Sequence, residues 1–289
     1  MPPRRKEPES PANDFGYDLS LFVTFANGIL GRKSADTGVC LVPAELSEGS
    51  ERLNVRIWRG NASGGAFQAY DVPVRRSQTV LDLVAWVQQN ADPSLSYRYA
   101  CRVGMCGSCA MMVNGVPRWT CRTHVSKVSD GGTISIGPLR NLPVIKDLAT
   151  DMDPFFDKWV AAEAVHHPSR SRHEGIVPID PASPARVEAN TGIECINCSI
   201  CYAACDTVAG NPDFLGPAAL NRAWTLFNDA RDGDEQAILD AVSGAGGCHN
   251  CHSQGSCAVH CPNALNPMKA IAGLKRETTR AYLRGRRRA

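Results

Sequence analysis

Cys195-Ile-Asn-Cys198-Ser-Ile-Cys201-Tyr-Ala-Ala-Cys205 is the stretch that decides how the chain folds. It has the C-x2-C-x2-C-x3-C spacing in which three thiolates wrap one iron–sulfur cluster and the fourth reaches a second cluster. The answering thiols follow at Cys251, Cys257 and Cys261, the last of them directly before Pro262. By the crossing rule Cys261 completes Cys195, Cys198 and Cys201, while Cys205 joins Cys251 and Cys257. A full second run would place a cysteine at residue 254, but the residue there is Gln254. Four thiolates suit a 4Fe–4S cluster, and three suit a 3Fe–4S cluster.

Cys248 complicates the second group, because Cys248-x2-Cys251 is also a ligand spacing. A ligand there would make the second cluster a four-iron one, but its thiolate would have to fold back over the cluster from a lead-in containing Gly244, Gly246 and Gly247. The preferred reading is a spare cysteine of the helical region, with the ligand reading left open.

A third set lies upstream, where Cys101-x4-Cys106-x2-Cys109 is followed by Cys121. This is the plant-type 2Fe–2S spacing. Gly104 and Gly107 let the loop turn its amides toward sulfur through backbone angles that glycine adopts freely. Four thiolates also suit zinc, but zinc modules usually pair C-x2-C with C-x2-C. One close trio and a distant partner favours the cluster. Cys40 stands alone and is read as a small tolerated residue.

Thirteen cysteines in 289 residues, eleven of them in these groups, favour metal over disulfides in a chain with no recognisable secretory signal. Arg4, Arg5 and Lys6 are offset by Glu7 and Glu9, unlike a transit peptide. Leu19 to Leu30 is apolar for twelve residues, short of the roughly 20 that a spanning helix needs. The expectation is a soluble or peripheral protein. A net charge of +2 supplies no field that would recruit nucleic acid.

Residues 1–50 read as an extension. From Leu53 the apolar positions alternate through Val55 and Ile57, and Asn61 to Gly65 turns the chain into Phe67 to Val72. Thr79 and Asp82 predict a capped helix running to Asn90. Asn114-Gly115 predicts a hairpin between Ala110 to Val113 and Val116 to Trp119, and Thr133 to Ile136 a further strand. Val144, Ile145, Leu148, Met152, Phe155, Phe156 and Trp159 recur at helical intervals, so the helical region is expected to begin near residue 141. Arg170 to Pro184 reads as an ordered connector, and His166, His167 and His173 as solvated side chains. Gly216-Pro217 predicts the start of a helix bearing Leu220, Ala223, Trp224 and Phe227. A last helix through Met268, Ile271 and Leu274 ends in Arg284, Arg286, Arg287 and Arg288, a solvated tail in preference to a phospholipid contact.

The cysteine runs, with SYRYACRVGMCGSC at Ser96 to Cys109, the Pro-Leu and Val-Ile-Lys-Asp pieces between Gly137 and Asp147, NPDFLGPAA at Asn211 to Ala219 and CPNALNPMK at Cys261 to Lys269, resemble the iron–sulfur subunit of the succinate dehydrogenase and fumarate reductase family. The resemblance covers roughly residues 53–275. It implies an α+β chain: a β-grasp 2Fe–2S ferredoxin-like domain (51–140), then an all-α helical ferredoxin domain (141–289) with the 4Fe–4S and 3Fe–4S clusters. It further implies an FAD-containing flavoprotein subunit on one side, a membrane anchor with quinone on the other, and a peripheral position on the cytoplasmic face of the bacterial inner membrane. Family members place Pro-Ser and a nearby Trp after the cysteine matching Cys205; here Asp206, Thr207 and Gly210 stand instead, while the His after Cys251 is kept as His252. The resemblance thus implies a quinone-proximal role for His252 in an altered pocket. Two other classes compete: a free ferredoxin-like carrier, which would not need the long helical region, and a structural metal adaptor, which would not need three unequal sulfur sets. Copurification with an FAD-bearing subunit separates the first reading from both.

Overall fold

Strands β1 (Arg52–Asn61) and β2 (Gly64–Pro73) pair antiparallel in unbroken register from Arg52↔Pro73 to Asn61↔Gly64. The computed structural model describes residues 51–285; the extension with Leu19 to Leu30 and Cys40, and Arg286 to Arg288 of the tail, lie outside the described residues. Leu53, Val55 and Ile57 alternate into a core with Val72, Val84, Met111, Ile134 and Ile136. Over them lies helix α1 (Val80–Asn90), whose Thr79 and Asp82 form the reciprocal cap expected from sequence.

β3 (Ala110–Val113) and β4 (Val116–Trp119) form the second hairpin. Its turn puts Asn114 at φ +49° and Gly115 at φ +77°, the left-handed pair that a two-residue hairpin needs. β5 (Thr133–Gly137) lies parallel to β1 and antiparallel to β3.

The next segment departs from expectation. Val144, Ile145 and Leu148 do not begin a helix: β6 (Val144–Lys146) and β7 (Ala149–Thr150) are strands that extend the sheet to the order β4-β3-β5-β1-β6-β7, with β2 also on β1. Asp147 sits between them at φ +52°, where a right-handed helix cannot continue. Its N–H donates to the Gly60 carbonyl at 2.8 Å, and Leu148 N–H to the Ser96 carbonyl at 3.1 Å. Long-range backbone bonds outweigh the local helical spacing. The helix starts at α2 (Asp153–Ala161).

The chain leading into the connector is pinned. Ser169 N–H reaches Arg231 O and Gly233 N–H reaches His167 O, both at 2.8 Å, and His166 Nδ1 lies 3.0 Å from the buried Asp232 carboxylate. Then come α3 (Pro184–Ile193), the short α4 (Ile200–Ala203) and α5 (Asp206–Gly210), α6 (Gly216–Phe227), α7 (Glu235–Val242), short α8 (Ser256–Val259) and α9 (Pro267–Leu283). α6 is the hub, packed on α2, α3, α7 and α9. Ala110 and Met112 of β3 share one core with Leu220, Trp224 and Leu274, so sheet and helices are continuous in packing. Asn141 Nδ2 ties them further by donating to Tyr202 O at 2.9 Å and Cys205 O at 3.1 Å. No helix among the described residues is long and apolar enough to cross a membrane.

Candidate metal centres

Cys101, Cys106 and Cys109 lie on one loop between α1 and β3, and Cys121 comes from just beyond β4. Thr120 fixes that approach, its hydroxyl and its N–H both donating to the Cys109 carbonyl, at 2.7 and 3.3 Å. Cys109 and Cys121 are buried beside Leu81, with Tyr97 and Trp119 packed around them. The backbone N–H groups of Val103, Met105 and Cys106 all point at the Cys101 sulfur, at 3.4, 3.2 and 3.4 Å. Arg102 at φ +57° and Gly104 at φ +78° give the loop the handedness that turns successive amides inward. Burial pushes the Cys106 thiol up, but the Cys101 N–H and the hydroxyl and N–H of Ser108 outweigh it and bring the thiol down to about 6. Cys121 goes the other way, to about 12, through burial and its neighbour Cys109.

The helical region brings its thiols together in the crossed arrangement. One void is lined by Cys195, Cys198, Cys201 and Cys261, with Asn197, Asn221, Leu265 and Pro267 completing the wall. A second is lined by Cys205, Cys251 and Cys257, with His252, Gln254, Thr207 and Phe214. Asn197 at φ +56°, Ser199 at +57°, Ser253 at +59° and Gly255 at +82° bend the cysteine runs around these voids. Ser253 N–H donates to Cys251 Sγ and Leu265 N–H to Cys261 Sγ, both at 3.4 Å. Burial drives the thiols up: Cys198 to about 12, Cys257 to about 11 with help from Cys251 and Cys205, and Cys201 well above its usual range. Thiols in so dry a setting shed their protons only to a strongly positive partner.

In the helical region the thiols line the walls of two voids, as a multi-atom cluster requires.

Cys248 lies outside the second void. It is fully buried in the helical core, its Sγ 3.9 Å from Thr278 Oγ1, which also lies 3.0 Å from His249 Nε2. Cys248→Ser is therefore expected to leave the three-iron electron paramagnetic resonance signal of the oxidised protein in place, at a stability cost of about 1–2 kcal/mol for a polar group in an apolar core. A wild-type protein that lacks the signal and gains it in the variant would make Cys248 a ligand.

Sequence reasoning named Gly107 for its backbone freedom but not for its contact, and it passed over Asn197 and Arg98. Gly107, at φ +71°, is where the first loop meets the second run: a Cβ on it would stand 2.7 Å from Cys198 Cα and 2.7 Å from Ile196 O. The crevice beside this contact is walled by Arg98, Cys106, Ser108, Leu139, Met152, Phe156, Asn197 and Cys198. Asn197 carried a readable signal, since asparagine tolerates the left-handed angle between ligands. Arg98 carried none.

Two family models match the chain: "2Fe-2S iron-sulfur cluster binding domain" over residues 54–157 and "4Fe-4S dicluster domain" over residues 194–266. The chain is 35% identical over 215 residues to the fumarate reductase iron-sulfur subunit of Escherichia coli, covering 74% of this chain and 86% of that one. It is 36% identical over 218 residues to its namesake in Mycobacterium tuberculosis, at the same coverage. The mitochondrial succinate dehydrogenase [ubiquinone] iron-sulfur subunit 1 of Oryza sativa is 35% identical over 198 residues, 68% of this chain and 70% of its own. A chain of the solved "Mycobacterium smegmatis Sdh1 complex in the apo form" superposes with a TM-score of 0.71 at 25% identity, covering 81% of this chain and 98% of that one.

Proposed function

The chain belongs to the iron–sulfur subunits of the succinate dehydrogenase and fumarate reductase family, and on that premise we propose that it carries electrons between an FAD-containing flavoprotein subunit and quinone at a membrane anchor, as a peripheral subunit on the cytoplasmic side. Its cofactors are the family's set of 2Fe–2S, 4Fe–4S and 3Fe–4S clusters. We assign Cys101, Cys106, Cys109 and Cys121 to the first, Cys195, Cys198, Cys201 and Cys261 to the second, and Cys205, Cys251 and Cys257 to the third. Bound there, the clusters supply one-electron carriers, leaving the two-electron step to the flavin.

The observation that carries this reading is that the three thiol sets stand in series. Cys106 and Cys198 wall one crevice, and Cys257 is near enough to Cys201 to help push its thiol up. The protein's own work is to hold these sets at fixed separation and keep them dry. At the first end, Tyr99, Val103 and Met105 stand exposed on the loop that carries Cys101, Met105 at 70%. Arg75, Arg76 and Arg102 flank them in a groove with Trp86. A partner docked here covers the apolar tips and finds cations to pair with. At the other end His252 and Thr207 share the second void, and offer an imidazole and a hydroxyl to a reduced quinone. Thr207, with the neighbouring Asp206, takes the place of the family's Pro-Ser, so the pocket keeps its histidine but not its usual wall.

One preparation tests both ends. Met105→Glu, in the complex purified through a tag on this chain, is expected to lose FAD by about tenfold while keeping its iron, since a carboxylate is then forced into an apolar contact. His252→Ala is expected to keep FAD and dye-linked succinate oxidation but to lower quinone reduction by about tenfold or more. If Met105→Glu retained full FAD, or if His252→Ala left quinone reduction intact, the corresponding end of the assignment would be wrong.

A further inference from the structure

The crevice between the first cysteine loop and the Cys195–Cys205 run has one cationic side chain among the described residues that line it, Arg98, and no carboxylate. Apart from the thiols of Cys106 and Cys198, the other lining residues are uncharged: Gly107, Ser108, Ala110, Leu139, Met152, Phe156, Ile196, Asn197 and Ser199. Arg98 is half-buried and has no carboxylate within ion-pair distance among the described residues. Its guanidinium is held by a neutral partner, Nη2 donating to the buried Thr150 Oγ1 at 3.2 Å. Thr150 belongs to β7, the strand that sequence periodicity had placed in a helix, so the arginine's anchor exists only because that segment joins the sheet.

Arginines in low-polarity surroundings are normally neutralised by a bidentate carboxylate. Here burial lowers the guanidinium pKa and the more distant Asp151 opposes it. The group stays charged at any working pH. With no carboxylate paired to it, its positive field falls on the two cysteine loops that face each other across the crevice.

We propose that Arg98 raises the reduction potentials of the 2Fe–2S and 4Fe–4S clusters together, holding both higher than their thiolate surroundings would. The inference rests on the ligand assignment above. An electron added on either side raises the negative charge there, and a cation in the crevice that both sides line stabilises both reduced forms. The third cluster lies beyond the second and feels Arg98 least.

The test is a redox titration of the intact complex followed by electron paramagnetic resonance. Arg98→Gln keeps a donor for Thr150 and removes the charge; the midpoint potentials of the 2Fe–2S and 4Fe–4S signals are expected to fall while that of the 3Fe–4S signal stays where it was, and Arg98→Lys is expected to restore most of the loss. Asp151→Asn gives an independent arm: with the one opposing anion gone, the same two potentials are expected to rise. Unchanged potentials in Arg98→Gln overturn the proposal, as does an equal fall in all three, which would report a general loosening. If Arg98→Gln does not load its clusters, the Asp151→Asn arm decides, and potentials unmoved there overturn it too. The ligand assignment fails separately, by loss of the wrong signal in the cysteine variants.

Discussion

Replacing Cys261 by alanine is expected to abolish the 4Fe–4S signal and leave the 3Fe–4S signal, although Cys261 lies four residues from Cys257 and far in sequence from Cys195. The void it lines belongs to Cys195, Cys198 and Cys201, and its Sγ is held there by the Leu265 N–H. Iron is expected to fall by about four atoms per chain, the content of one cubane. Cys205→Ala should do the converse and remove the three-iron signal, because Cys205 shares its void with Cys251 and Cys257. Metal analysis with low-temperature electron paramagnetic resonance on both variants reads the outcome. Loss of the three-iron signal in Cys261→Ala, with the four-iron signal kept, would mean that each run serves its own cluster. Either variant should also unfold more readily, since each void sits inside the core around α6.

The second large effect is expected at Asp147, far from any thiol. Its carboxylate is 2% exposed and accepts from Gly60 N–H at 3.1 Å and Ser96 N–H at 2.9 Å, with Arg59 Nε at 3.0 Å. Arg59 in turn reaches Asp92 and the Tyr70 hydroxyl. Asp147→Ala strips two amides of their acceptor and a half-buried guanidinium of an ion-pair partner, at a cost of about 3–5 kcal/mol. Denaturant unfolding of the variant should show it as a large fall in midpoint, and a change below about 1 kcal/mol would refute the role. The pH dependence follows from sign. Burial raises the Asp147 carboxyl, but Arg59 and the two amides outweigh it and leave it below its usual value. A carboxyl depressed on folding adds stability above its unfolded pKa of about 3.9 and loses it as pH falls through the folded value. The gap between wild type and variant should therefore be full at neutral pH and begin to close below about pH 4.

Much of this architecture could be read locally. The Thr79–Asp82 cap, the Asn114-Gly115 turn and the Gly216-Pro217 helix start each depend on residues within four positions of one another, and each stands where the sequence put it. The thiol groupings proposed above rest on cluster spacing, which is itself local, and on the crossing rule fixed by the run. The strands β6 and β7 were not, for a physical reason. At three and two residues they are too short to show a period of two, while Val144, Leu148 and Met152 happen to fall four apart. What decides the segment is Asp147 and its bonds to Gly60 and Ser96, residues 87 and 51 positions away. Arg98 was illegible on the same ground, because its setting is made by a strand and a cysteine run remote in the chain.

The bare backbone at Gly107 has a bearing on speed as well as on shape. Electron tunnelling decays exponentially with the thickness of matter crossed, and at Gly107 one peptide lies directly against another, with no side chain between the loop of Cys106 and the Cα of Cys198. Any larger residue would act as a spacer, widening the gap at its narrowest point. The hydrogen atom on that α-carbon is in this sense the insulation of the circuit, and it is already as thin as the genetic code allows.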